Sequence, residues 1–127
     1  MQVSIEIPVE LEAVAMARDL VSRAVGETVA SDDRIEDAKL LTSEVVTNAL
    51  RHAGMDVGDS IALAVDVTPD RVRVEVADRG PGFDRASLQE PSPENTGGWG
   101  LFLVEQLSER WGVIKNDPNL VWFELSL

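Results

Sequence analysis

Residues 41–49 read LTSEVVTNA and place an apolar stripe and a polar pair on the same predicted helix. Leu41 and Val45 are four residues apart, which is the spacing of a buried helical face. Glu44 and Asn48 have the same spacing, so they lie one above the other beside that stripe. Asn is a poor residue for a helix interior because its side chain competes for backbone hydrogen bonds. The segment therefore predicts a packed helix, and packing alone does not explain the presence of Glu44 and Asn48 on it.

This helix extends from the segment in both directions. Residues 33–36, DRIE, have the spacing of a capping box and predict the helix start, while Gly54 predicts its end. An ordinary solvated helix face would also explain Glu44 and Asn48 taken alone. His52 lies one turn beyond Asn48 and, as a lone histidine near a helix end, is more typical of a structural residue.

The flanking sequence predicts strands and two further helices. Period-two alternation or short apolar runs predict strands at residues 2–7, 60–67, 71–77, 113–114 and 120–127. Helical stripes predict one helix from about residue 9 to Gly26 and another from about Trp99 to Arg110. This order predicts an α+β fold of two layers, with about three helices on one face of a mostly antiparallel mixed sheet.

The composition restricts the function. A length of 127 residues with 44% hydrophobic residues predicts one domain over residues 1–127. A net charge of -12 argues against nucleic-acid binding, and the absence of cysteine excludes disulfides and thiolate metal sites. Neither a membrane span nor a signal peptide is recognisable, so we expect a cytoplasmic protein. An acidic chain that binds a polyanion must use a metal cation and backbone dipoles.

A second motif follows the predicted strand at residues 71–77. Asp78 stands at the strand end, and Gly80 and Gly82 follow it one residue apart. An ordinary turn uses the same residue types. The spacing also permits close approach of the backbone to a flat ligand, with a carboxylate directed at the donors of that ligand.

A third motif leads into the last predicted helix. Residues 96–101 read TGGWGL, so a glycine-rich segment opens the helix. Such a segment presents free N–H groups and the positive end of the helix dipole, which together bind phosphate. A flexible connection into an amphipathic helix would have the same composition.

In combination and in this order, the three motifs resemble the N, G1 and G2 boxes of the GHKL ATPases, which share the Bergerat fold. The resemblance covers nearly the whole chain. The stretch LTSEVVTNA is especially similar to the anti-sigma-factor serine kinases and their actinobacterial relatives. One departure lies at residues 116–120, NDPNL, where this family often has a glycine and a hydroxyl residue near the adenine.

The resemblance implies ATP and Mg²⁺ as cofactors and assigns roles to the motif residues. Asn48 would bind the Mg²⁺, Asp78 would accept a hydrogen bond from the adenine amino group, and Glu44 would be the general base. The remaining nucleotide-binding positions, which would shape the base pocket or let a lid close over the phosphates, are Gly80, Gly82, Gly98, Gly100 and Leu101.

Two functions share this pocket. The first is a Mg·ATP-dependent kinase that phosphorylates a serine of an anti-sigma-factor antagonist protein and in its other state binds a sigma factor. The sequence does not decide whether the protein forms a homodimer. The second is an ATP-binding switch without kinase activity, in which the nucleotide only orders a lid at residues 83–97. Glu44 favours the kinase, because a purely structural ATP site would not need a carboxylate there. A histidine kinase fragment is disfavoured, since no dimerisation helix pair with a phosphorylatable histidine is recognisable.

Overall fold

The structure is a computed structural model that describes residues 2–8, 10, 12–28, 31–52, 60–78, 99–114 and 119–127. The described helices and strands follow one another as β1 (Gln2–Pro8), α1 (Ala13–Gly26), α2 (Asp32–His52), β2 (Ser60–Val67), β3 (Arg71–Asp78), α3 (Trp99–Leu107), β4 (Arg110–Ile114) and β5 (Asn119–Ser126).

The strands form one sheet in the order β1-β2-β3-β5-β4. Each described strand pair is antiparallel, so the α+β prediction is confirmed and no parallel pair occurs among these strands. The β2–β3 hairpin turns at Pro69-Asp70, between the two strands predicted at residues 60–67 and 71–77. The Thr68 N–H donates to the Arg71 carbonyl at 2.9 Å.

Alternate strand residues face the helices and are buried. Together with the inner faces of α1 and α2 they form one core whose largest fully buried side chains include Phe123, Ile7, Leu41, Ile61, Leu63 and Leu125. Burying each such side chain contributes about 1.5–3 kcal/mol. The core therefore fixes α2 firmly against the sheet.

The start of α2 differs from the prediction. The helix begins at Asp32, and the Ser31 hydroxyl accepts a hydrogen bond from the Arg34 N–H at 3.3 Å. Ser31 is therefore the N-terminal cap, and the capping box predicted at residues 33–36 is wrong. Asp32 and Asp33 instead lie in the first turn, where carboxylates interact favourably with the helix dipole.

Two other boundaries also differ. Helix α1 begins at Ala13 rather than near residue 9, and its buried face is built mainly from alanines. Helix α3 ends at Leu107, where the Ser108 N–H and hydroxyl both donate to the Val104 carbonyl. Strand β4 consequently starts at Arg110, before the predicted residue 113. Within the described ranges, no helix has the length and apolar character needed to span a bilayer.

Candidate functional site

Helix α2, which carries the first motif, packs against the elements that adjoin the other two motifs. It packs against α1, against β3, which ends at Asp78, and against α3, which begins at Trp99. The helix carrying Glu44 and Asn48 thus touches the two elements that carry or adjoin the other motifs. The prediction that these motifs form one site is consistent with this packing.

Asn48 is held in a single orientation inside α2. Its side chain is buried, with only 4% of the residue exposed. The Asn48 Nδ2 donates to the Glu44 carbonyl at 2.9 Å. Because a carbonyl oxygen can only accept, the amide nitrogen must face it, and this fixes the position of Oδ1.

The Asn48 Oδ1 is buried and has no hydrogen-bond partner among the described residues. An unpaired buried acceptor destabilises a fold by about 1–3 kcal/mol. Amide oxygens are ligands for hard cations such as Mg²⁺, which are commonly held by a few protein oxygens together with substrate phosphates. The free Oδ1 therefore fits the bound Mg²⁺ that the sequence predicts.

Glu44 lies one turn before Asn48 and is half-buried. Its backbone carbonyl accepts from Asn48, but no described residue makes a hydrogen bond or ion pair with its carboxylate. A carboxylate without a structural partner is free to accept a proton from a bound hydroxyl. This geometry is compatible with the predicted general base.

The described residues contain no cluster of three or more His, Cys, Asp or Glu side chains that could hold a metal ion. A cation held by the Asn48 oxygen can complete its coordination with the oxygens of nucleotide phosphates. Such shared coordination is the usual arrangement for Mg²⁺ in phosphoryl-transfer sites.

The adenine-binding side of the predicted site is described only in part. Asp78 is the last residue of β3 and pairs with Asn119 at the start of β5, which places the backbone of this motif at a strand end as predicted. The side chain of Asp78 lies outside the described residues. So do Gly80, Gly82 and residues 115–118, and their roles stay predictions.

The phosphate-binding side is also described in part. Gly100 and Leu101 lie in the first turn of α3, so the glycine-rich segment does open a helix. Gly98 and the predicted lid at residues 83–97 lie outside the described residues, as does the side chain of His52 at the end of α2. The N-terminus of a helix carries the positive end of its dipole, which favours a bound anion.

One polar residue of α2 was missed in the sequence. Thr42 is fully buried, and its Oγ1 has no hydrogen-bond partner among the described residues. Its position next to the apolar stripe residues Leu41 and Val45 was the sequence signal that could have predicted its burial. We assign it no function, but it provides a second unpaired polar atom in the same helix.

Comparison with known proteins gives the family. A model of the histidine kinase-like ATPase domain matches residues 7–125. The serine-protein kinase RsbW of Staphylococcus epidermidis is 33% identical over 128 residues, which cover 91% of this chain and 80% of that protein. The RsbW of Staphylococcus aureus strain MSSA476 is 30% identical over 127 residues, with the same coverage.

Solved structures agree on the fold. The structure of the RsbU and RsbW domains of Rv1364c from Mycobacterium tuberculosis has a TM-score of 0.75 at 22% identity, covering 98% of this chain and 31% of that one. The SiaB–SiaC complex from Pseudomonas aeruginosa has a TM-score of 0.66 at 10% identity, covering 98% of this chain and 89% of that one. At these identities the likeness concerns the fold alone. The sequence matches decide the assignment: the chain belongs to the histidine kinase-like ATPase domain family, with the RsbW serine-protein kinases among its relatives.

Proposed function

We propose that this protein is a Mg·ATP-dependent serine kinase whose substrate is an anti-sigma-factor antagonist protein, and that in its other state it binds a sigma factor. The observation that carries the proposal is the buried Asn48 amide, whose Oδ1 has no hydrogen-bond partner among the described residues. Asn48 lies one turn beyond Glu44, whose carboxylate no described residue pairs. We further propose that residues 1–127 form one ATP-binding domain and that the protein acts in the cytoplasm as a homodimer.

The names of the relatives support this proposal. Both staphylococcal relatives are serine-protein kinases, and each is matched over most of its length. The SiaB–SiaC structure is a complex of two proteins, which supports a protein partner for this fold. The net charge of -12 favours protein or nucleotide ligands over nucleic acid.

The residues of the site have separate roles in the proposed reaction. Asn48 Oδ1 would hold the Mg²⁺, and bound Mg²⁺ would neutralise charge on the phosphates. The N-terminal turn of α3, with Gly100, would donate backbone N–H groups to the phosphates. Asp78 would accept a hydrogen bond from the adenine amino group and so favour adenine over guanine.

Glu44 would act on the substrate hydroxyl. As the serine Oγ forms its bond to the γ-phosphorus, its proton passes to the Glu44 carboxylate. The bond between the γ-phosphorus and the β,γ-bridging oxygen breaks, and ADP leaves. Because this carboxylate has no described partner to release first, it needs no rearrangement before accepting the proton.

The test is transfer of labelled γ-phosphate. The full chain would be incubated with Mg·ATP and a candidate antagonist protein, and the product analysed for phosphoserine. We expect label on one serine of the antagonist and none when Mg²⁺ is chelated. Full ATP occupancy without transfer to any candidate would favour the ATP-binding switch and overturn the kinase proposal.

A further inference from the structure

Leu40 lies one helical turn before Glu44 on α2, and 41% of this leucine is exposed. Residues four apart on a helix are neighbours on its surface. The side chains of a helix also tilt toward its N-terminus, so the Glu44 side chain extends over the turn that carries Leu40. The proposed general base therefore has an exposed apolar residue beside it, on the side away from Asn48.

The position of Leu40 relative to the reaction is the informative observation, because single exposed leucines are common on protein surfaces. In phosphoryl transfer the attacking and leaving oxygens lie on opposite sides of the phosphorus. Asn48 would hold the phosphates through Mg²⁺, and Glu44 would take the serine proton. The direction from nucleotide to substrate therefore follows α2 toward its N-terminus. Among residues 40–43, which form the next turn in that direction, Leu40 is the exposed one.

The first turns of α2 continue this surface and are acidic. Asp33 is exposed and lies about three full turns before Glu44, so the two share one face of the helix. The two cations in this half of the helix are already paired, Arg34 with Asp37 at 3.6 Å and Lys39 with Glu36 at 3.2 Å. Within the described part of the chain, no cation is paired with Asp33. This end of α2 is therefore complementary to a basic group.

The arginines of the sheet do not offset this charge, because they are held at Glu124. The Glu124 carboxylate lies 3.3 Å from Arg71, 3.1 Å from Arg73 and 3.7 Å from Arg110. Val74, which follows Arg73, is buried in the core under the helices, so this cluster around Glu124 lies on the opposite face of the sheet. The helical side of the protein therefore keeps the acidic character of the N-terminal half of α2.

We propose that the antagonist protein binds along α2 toward the helix N-terminus, with an apolar residue packed on Leu40 and a basic residue beside Asp33. The proposal rests on the kinase function proposed above and names what the substrate carries near its acceptor serine. Along α2, Leu40 is about 6 Å and Asp33 about 16 Å from Glu44. An extended segment advances about 3.3 Å per residue. The apolar residue should therefore lie about two positions, and the basic residue about five positions, from the serine.

Leu40 would determine which substrate binds and would not take part in the chemical step. Its contact with the antagonist is present both before and during phosphate transfer. A contact of this kind lowers the KM and leaves kcat unchanged. Loss of the apolar contact at Leu40 should weaken binding of the antagonist by about tenfold.

The test uses the antagonist protein that accepts labelled phosphate from the wild-type chain. Leu40→Ala should raise the KM for this protein by about tenfold, while kcat and the Kd for Mg·ATP stay unchanged. Calorimetry on the chain loaded with a non-hydrolysable ATP analogue should show the same rise in the Kd for the antagonist. Leu40→Met keeps an apolar side chain of similar volume and should recover most of the wild-type affinity.

Two matched controls lie away from this surface. Ile114 is 42% exposed on β4, and Ile114→Ala should leave the KM for the antagonist unchanged. Asp33→Lys should raise this KM by about three- to tenfold at low salt and by less at high salt, because salt screens exposed charges. Asp70→Lys makes the same change of charge in the exposed turn between β2 and β3 and should have little effect.

Two results would overturn the binding proposal while the kinase proposal stands. The first is an active wild type whose KM and Kd for the antagonist are the same as those of Leu40→Ala, and the second is an Asp33→Lys variant that binds as well as Asp70→Lys. A wild type that transfers phosphate to no candidate overturns both proposals together. Leucine and alanine both favour helices, and circular dichroism of each variant checks that the fold is retained.

Discussion

Replacing Asn48 by alanine should make the nucleotide-free protein more stable while abolishing its response to Mg·ATP. The change removes the unpaired Oδ1, which destabilises the fold by about 1–3 kcal/mol. It also removes the hydrogen bond from Nδ2 to the Glu44 carbonyl, which contributes about 0.5–1.5 kcal/mol. That carbonyl keeps its ordinary helical partner.

Two smaller effects decide the net value. Alanine favours a helix interior over asparagine by about 0.5–0.7 kcal/mol. The void left by the shorter side chain offsets part of this gain. We expect a net stabilisation of about 1 kcal/mol, which corresponds to a rise in Tm of about 3–5 °C for a domain of this size.

Thermal denaturation with and without Mg·ATP is the assay. At a nucleotide concentration of about 100 times Kd, binding should stabilise the wild type by about 2.7 kcal/mol, and Asn48→Ala should show little of this increase. Thr42→Val is the matched control, because it also removes an unpaired buried oxygen from α2. It should raise the Tm of the nucleotide-free protein and keep the nucleotide response.

The reasoning fails if Asn48→Ala keeps the full Mg·ATP response. It also fails if the variant loses more than about 1 kcal/mol of stability, since the amide would then be a structural group. A loss of the nucleotide response in Thr42→Val as well would show that the helix, and not the Asn48 oxygen, controls binding.

Three further predictions concern single residues. Glu44→Gln should leave ATP affinity nearly unchanged and lower phosphate transfer by about a hundredfold to ten-thousandfold, measured by single-turnover kinetics; transfer at the wild-type rate would remove Glu44 from the mechanism. Asp78→Ala should weaken ATP binding by about five- to a hundredfold in calorimetry, and equal affinity of the wild type for ATP and GTP would contradict its role. Gly112→Ala should destabilise the monomer by about 1–3 kcal/mol, measured by urea unfolding at low protein concentration, because the new Cβ would overlap Trp122. An unchanged urea midpoint would mean that the indole moves freely.

The sequence predicted the order of the elements and the pair on α2 because both signals are local. Glu44 and Asn48 share one helix with a strong apolar stripe, and an asparagine in such a helix is itself unusual. The β2–β3 hairpin was predictable for the same reason, since its turn residues and its period-two strands are adjacent. The match with the histidine kinase-like ATPase domain confirms the family prediction.

Features that depend on tertiary contacts, or on a choice between two equally suitable neighbouring residues, were not predictable. Ser31 and Asp33 are both good caps two residues apart, and local sequence does not choose between them. The start of α1 was placed too early because alanines such as Ala13 give a weak apolar signal. The direction of the Asn48 amide depends on its rotamer inside the folded helix, so the free Oδ1 was visible only in the structure.

Within the cluster around Glu124, the sheet should tolerate mutation of an arginine better than mutation of Glu124 itself. Arg71, Arg73 and Arg110 come from two different strands and converge on one carboxylate, so the loss of any one arginine leaves two to neutralise it. The loss of Glu124 instead leaves three guanidinium groups close together without their shared counter-charge. Across natural or laboratory variants, the arginines should therefore be substituted one at a time. A substitution at Glu124 should persist only when its neighbours are substituted as well. A pairwise mutational scan can measure this epistasis.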